Sequence, residues 1–223
     1  MRLRGEFLGL TEGTVRSMSQ EQPGIAAPSK CNQCSRPLAS PLVCQHCHRL
    51  VDVGQTDHFA LLGLERDYDL STEMLSDRFV SLSRQVHPDY FSERSGGQQR
   101  LAMRNSARLN QAYRTLRDPF TRAEYLLELA GGPCSAEDRS VPANLLDEAM
   151  HLREQIEEAK LRADDATLAD IRKELLARRD HTNEQIGTLA RRAVRADVSP
   201  DVLRELRKQL NAFKYFANLL EQL

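Results

Sequence analysis

Apolar positions recur at helical spacing over most of this chain. Leu75, Phe79, Leu82 and Val86 stand four, three and four residues apart, which is the stripe of an amphipathic helix. Ser71 ahead of Thr72-Glu73 supplies an N-cap, and the helix is expected to run to His87. Pro88 disfavours helical geometry at the residue before it, and Tyr90 to Gly97 is rich in turn formers, so the chain should reverse there. A second helix is expected from about Gln98 to Leu116, with Leu101, Leu109, Ala112, Tyr113 and Leu116 inward. Asp118-Pro119 stops it. Arg122 to Ala130 reads as a further helix, closed by Gly131-Gly132-Pro133. The expectation is a helical hairpin with flanking short helices.

Three more stripes follow from Pro142: Leu145, Ala149, Leu152 and Ile156; then Leu168, Ile171, Leu175, Thr182, Ile186 and Leu189; then Leu203, Leu206, Leu210, Phe213 and Leu220. They predict a three-helix bundle. Burying each Leu or Ile contributes roughly 1.5–3 kcal/mol, so the bundle needs no cofactor to fold. The fold class is therefore all-α. Expected domains are a disordered leader over 1–30, a tetracysteine module over 31–54, the hairpin domain over 55–132 and the bundle over 133–223.

Composition narrows the function. The 223 residues are 40% hydrophobic, with 31 Lys plus Arg against 32 Asp plus Glu, so nothing favours nucleic acid as the main partner. No apolar run approaches the roughly 20 residues that span a bilayer, and the first twenty residues lack a secretory apolar core. Neither a nucleic-acid nor a membrane partner is expected. Arg2, Arg4 and Arg16 are interspersed with Glu6 and Glu12, a poor match to an acid-free transit peptide. A bacterial cytoplasm is the first expectation for its location, a mitochondrial matrix the second.

Four of the five cysteines form two Cys-x-x-Cys knuckles, Cys31/Cys34 and Cys44/Cys47, separated by Ser35 to Val43. Four thiolates at this spacing suit tetrahedral zinc. The segment has little apolar content, whereas structural zinc supplies an apparent ~10–16 kcal/mol in finger peptides. Iron with four thiolates accepts the same ligands and is not separated from zinc here. A catalytic dithiol would want one such motif beside a βαβ pattern, and disulfides are disfavoured inside cells. His46 and His48 are read as bystanders, Cys134 as a free thiol. The module is expected to fold, and on losing its metal to unfold, by itself.

His87-Pro88-Asp89 lies between the two hairpin helices, preceded by Asp57-His58-Phe59-Ala60-Leu61-Leu62-Gly63-Leu64. This arrangement resembles a J domain. Arg84 to Phe91, Leu109 to Leu116 and Arg122 to Leu127 are similar to the HscB subgroup, and the resemblance continues through Leu152-Arg153-Glu154 and Lys214-Tyr215-Phe216, covering Asp57 to Leu223. It implies a non-enzymatic co-chaperone of iron–sulfur cluster assembly. His87, Pro88 and Asp89, with Arg78 and Arg84 on the preceding helix, would dock on a DnaK/HscA-type ATPase chaperone and stimulate it. Leu146, Met150, Glu154 and Tyr215 would hold an IscU-type scaffold protein. Tyr90 stands where the family often carries Lys, and Asp147 where it tends to be apolar. For Leu146 and Met150, four residues apart, core and contact face are both open. Two other readings stand beside this one: a general J-domain co-chaperone whose zinc module binds unfolded clients or RNA, and a thiol-exchange enzyme.

Overall fold

A computed structural model describes residues 27–92 and 94–223. The expected leader falls, as far as residue 26, outside the described residues. Its last part does not behave as leader: Lys30 bridges to Pro37, and the Leu38 amide donates to Ser29 O at 3.0 Å.

Most boundaries of the first four helices have a local cause. In α1 (His58–Leu62) the Asp57 carboxylate accepts from the Ala60 amide at 2.9 Å, and Gly63, at φ 67°, closes the helix in a left-handed conformation that a side chain would strain. Ser71 Oγ caps α2 (Thr72–Gln85) by accepting from the Met74 amide at 3.3 Å. This helix ends two residues before His87, because His87 is held extended (ψ 127°) ahead of Pro88. A 3-10 turn, Pro88–Phe91, then leads to α3 (Gly96–Arg117), which begins slightly earlier than the sequence suggests. Asp118 both ends α3 and caps α4 (Pro119–Leu129), accepting from the Thr121 amide at 2.8 Å. The Arg122 guanidinium, 5% exposed, fastens this corner by donating to Leu116 O at 2.7 Å, Tyr68 O and Arg117 O. The last three helices are α5 (Leu145–Leu161), α6 (Asp165–Ala193) and α7 (Pro200–Glu221). Among the described residues the protein is helical apart from two isolated β-bridges.

Packing does not respect the expected boundaries. One apolar core contains Leu75, Leu82, Leu109, Leu116 and Leu126 of the hairpin domain, and also Ile186, Ala190, Leu203, Leu206 and Leu210 from α6 and α7. A second, smaller core joins Leu145, Leu152 and Ile156 of α5 to Ile171, Leu175, Ala212, Phe216 and Leu219. The first core is therefore shared: the C-terminal half of α6 and the N-terminal half of α7 cover the hairpin domain. Phe120 stacks on Phe213 at 4.9 Å, and Glu124 receives both the buried Arg207 (3.1 Å) and Lys214 (2.8 Å). Asp69 pairs with Arg191 of α6 at 2.6 Å.

The tetracysteine module is likewise not a separate body. Leu42, Leu50 and Val53, each 3% exposed or less, lie in the first core. Asn105 of α3, fully buried, donates to Val51 O at 2.8 Å, and Arg104 pairs with Asp52 at 2.6 Å.

Candidate functional site

The His-Pro-Asp turn is shaped by its own residues. His87 Nδ1 accepts from the Asp89 amide at 3.3 Å, capping the 3-10 turn, while Pro88 supplies the fixed φ of its first position. Phe91, 7% exposed, anchors the turn in the core. The Asp89 side chain is left 86% exposed, with His87 Nδ1 3.5 Å from Oδ2. Tyr90 is 71% exposed beside it, edge-on to the His87 ring at 6.0 Å. The turn thus presents a carboxylate and an aromatic ring outward.

Arg78 and Arg84 are both exposed on α2, but they do not share one basic stripe. At about 100° per residue they stand about 120° apart round the helix axis. Arg84 faces away from the core, near the exposed acids Glu73 and Asp77, whereas Arg78 flanks the buried side. The outer face of α2 is of mixed charge.

On α5 the buried residues are Leu145, Ala149, Leu152, Ile156 and Ala159, and the neighbouring row Leu146, Met150, Glu154 faces solvent. Leu146 is 50% and Met150 63% exposed. The choice left open by spacing alone falls to the surface and not to the core. Tyr215, 38% exposed, stands on α7 next to Phe216, which shares the second core with Leu145 and Leu152.

The four knuckle sulfurs lie within 4.8 Å of one another. Cys31 Sγ is 3.7 Å from Cys47 Sγ, and Cys34 Sγ 3.6 Å from Cys44 Sγ. Those separations are far beyond a disulfide bond. They are close to the roughly 3.8 Å edge of a tetrahedron with metal–sulfur bonds near 2.3 Å. The two knuckles repeat each other at an offset of 13 residues (Lys30 to Val43, Cys31 to Cys44). In both, the first cysteine's amide donates to an arginine carbonyl, Arg36 or Arg49, and its carbonyl accepts from Ser35 or His48. Ser35 and His48 share the same left-handed φ, 58° and 56°. The sequence signal for this repeat, Cys-x-x-Cys-x-Arg twice, is legible in hindsight, although no internal repeat is expected from the periodicity.

Electrostatics fit a cation. The Cys47 amide, foremost, holds the Cys44 thiol down to about 6, and the Cys34 amide likewise lowers Cys31. At Cys47 the Arg49 amide also favours the thiolate. Burial and the neighbouring thiols Cys44, Cys31 and Cys34 outweigh it, pushing Cys47 up to about 11. Four sulfurs this close cannot all be thiolates without a positive charge among them, and the donor set can hold one metal ion. Cys134 is exposed and free.

Residues 141–223 match the family described as the HSCB C-terminal oligomerisation domain. Chaperone HscB from Vibrio cholerae superposes with a TM-score of 0.60 at 29% identity, covering 74% of this chain and 94% of that one. The crystal structure of human co-chaperone protein HscB gives 0.71 at 27% identity, covering 86% of this chain and 95% of that one. Over residues 141–223 the chain is similar to the HscB family, and its fold is similar to that of these two HscB proteins. Helical hairpin, turn and C-terminal helices are thus the HscB architecture in this sequence. Sequence reasoning missed Glu124, Arg207 and Lys214, which tie the C-terminal helices to the hairpin domain. No local pattern marks a charge whose partner lies 83 or 90 residues away. No helix among the described residues is long and apolar enough to cross a membrane.

Proposed function

We propose that this chain is a co-chaperone of iron–sulfur cluster biogenesis that binds an IscU-type scaffold protein and brings it to a DnaK/HscA-type chaperone, whose ATPase it stimulates. The observation that carries the reading is the His-Pro-Asp turn, with Asp89 held outward at the tip of a hairpin in an HscB-type fold. Pro88 and the His87 cap fix the backbone, so the carboxylate meets its partner without first losing turn entropy. Asp89 would favour one conformation of the chaperone and supply no chemistry of its own. Arg78 and Arg84 would contribute separate contacts on either side of α2. The row Leu146, Met150, Glu154, with Tyr215, would hold the scaffold at the opposite core. Cys31, Cys34, Cys44 and Cys47 would hold structural zinc, which when bound supplies the positive charge that lets all four sulfurs be thiolates. The protein would work in a cytoplasm or an organelle matrix.

The test is Asp89→Asn, which keeps size and hydrogen-bonding capacity while removing the charge. Because the side chain is so exposed, stability should change by no more than ~0.5 kcal/mol. Stimulation of the chaperone ATPase in the presence of scaffold should be nearly abolished, with scaffold affinity unchanged. Full stimulation by the folded variant would overturn the reading. Equal stimulation with an unfolded client in place of scaffold would favour a general co-chaperone.

A further inference from the structure

The tetracysteine module touches both ends of the segment that carries the turn. Ser40 Oγ donates to Gln85 Oε1 at 3.0 Å, and Gln85 is the last residue of α2. On the other side the Leu50 amide donates to Gln98 Oε1 at 3.1 Å, and Gln98 sits in the first turn of α3. About two turns further along, Asn105 and Arg104 hold Val51 O and Asp52. Leu50 is no remote residue of the module: it bridges to Val43 and follows Arg49, whose carbonyl receives the Cys44 amide. The groups that bond α3, on Leu50, Val51 and Asp52, therefore follow the knuckle cysteine Cys47 by three to five residues. Gln99, next to Gln98 in α3, donates back to Ser92 O in the loop.

We infer that the tetracysteine module is a brace for the His-Pro-Asp turn, in which Ser40, Gln85, Gln98 and Asn105 act as positioning residues and metal occupancy sets how firmly the turn is held. The physical argument is one of anchoring. A loop whose two ends are fixed samples fewer conformations than one whose ends move, and here the anchor's own order depends on a metal. Between Cys31 and Cys47 the one buried apolar side chain besides the cysteines is Leu42, so without the ion the knuckles lack the energy to stay folded. Their loss would strip Gln98 of its donor and leave the buried Asn105 amide without its acceptor, which loosens the start of α3. The consequence for stimulation rests on the co-chaperone reading, but the ordering itself does not.

Hydrogen exchange on the full-length chain, metal-loaded and after stripping with a chelator, tests the coupling. The reporters are the bonded amides of Val86, Tyr90, Ser92 and Gln99. Removing metal should lower their protection by about tenfold or more along with that of residues 30–53, while α5, which packs in the other core, keeps its protection. Loss of protection in 30–53 with none at residues 86–99 would overturn the proposal. Should stripping unfold the whole chain, the metal-loaded double variant Ser40→Ala, Gln98→Ala decides instead. It should retain its full metal content by elemental analysis and yet exchange faster at residues 86–92; unchanged exchange there overturns the brace. The same variant should stimulate the chaperone ATPase less than the wild type. A wild-type protein that stimulates nothing would instead sink the co-chaperone reading, leaving the brace to be judged by exchange alone.

Discussion

The two cores of this molecule are built differently. The second is local and simple: one face of α5 against the start of α6 and the end of α7, with Ile156 and Leu175 at its centre. The first is composite, drawing on the knuckle residues Leu42 and Leu50, the hairpin helices, and Leu206 and Leu210 of α7. The same helix α7 thus serves two cores along its length. The difference teaches that α6 and α7 join the core that anchors the His-Pro-Asp turn through Phe91 to the core beneath the exposed Leu146 and Met150.

The largest expected effect comes from opening either core. Leu206→Ala and Ile156→Ala should each cost ~2–5 kcal/mol, the usual range for burying a cavity in place of a large aliphatic side chain. They should differ in where the damage is felt. Leu206→Ala should lower hydrogen-exchange protection in α3 and α4 as well as in α7, whereas Ile156→Ala should spare the hairpin domain. Identical exchange patterns from the two variants would show that the cores unfold as one unit.

Surface truncation on the second core should separate binding from stability. Met150→Ala and Tyr215→Ala are expected to leave helicity intact while costing ~1–4 kcal/mol of scaffold affinity each, as interface anchors do. Unchanged affinity in titration calorimetry would mean that the exposed row is not the scaffold face.

The joint between hairpin domain and bundle can be probed at Glu124. Arg207 is 4% exposed and retains Pro133 O as a partner at 3.0 Å, so Glu124→Ala leaves a buried guanidinium only partly satisfied. A loss of ~1–3 kcal/mol is expected in denaturant unfolding. The loss should be smaller in Lys214→Ala, because Lys214 is 43% exposed.

The smallest effect is a pH dependence confined to the first core. His58 is lowered below its ordinary value by burial first and by the Arg108 cation second, while Asp57 opposes them. Its ring stacks on Tyr125 at 4.3 Å, and Nδ1 is buried without a hydrogen-bond partner. A folded value below the unfolded one means that protons bind the unfolded chain more readily. Stability is then full above about pH 6.5 and declines as pH falls from there through the folded value. Thermal melts between pH 7.5 and 5.5 should show this decline, and His58→Gln should flatten it. A decline of equal size in the variant would assign it to other groups, the clustered cysteines first.

Much of this was legible in the chain itself, and the limits are physical. Helical stripes, caps at Ser71 and Asp118, and the stops at Pro88 and Pro119 act over three or four residues, so periodicity and capping chemistry report them directly. Paired knuckles and the His-Pro-Asp order are equally local. That is why the all-α class, the four-cysteine cluster and the turn could be read before any packing was known. The structure ends α2 at Gln85, two residues short of His87, because the extended His87 ahead of Pro88 takes Val86 out of the helix although Val86 keeps the apolar period.

What only the tertiary structure decided involves partners far apart in sequence. Whether Met150 is core or surface depends on which side of α5 meets α6 and α7, and spacing is the same for both answers. That the knuckle module joins the hairpin core rests on contacts such as Asn105 with Val51, 54 residues apart. The shared core rests on Leu206 and Leu210 reaching back to helices that end before residue 130. Such contacts form because burying apolar surface is non-directional and pairs whichever faces the chain can bring together. Local pattern therefore specifies the faces, and the packed fold alone specifies which face meets which.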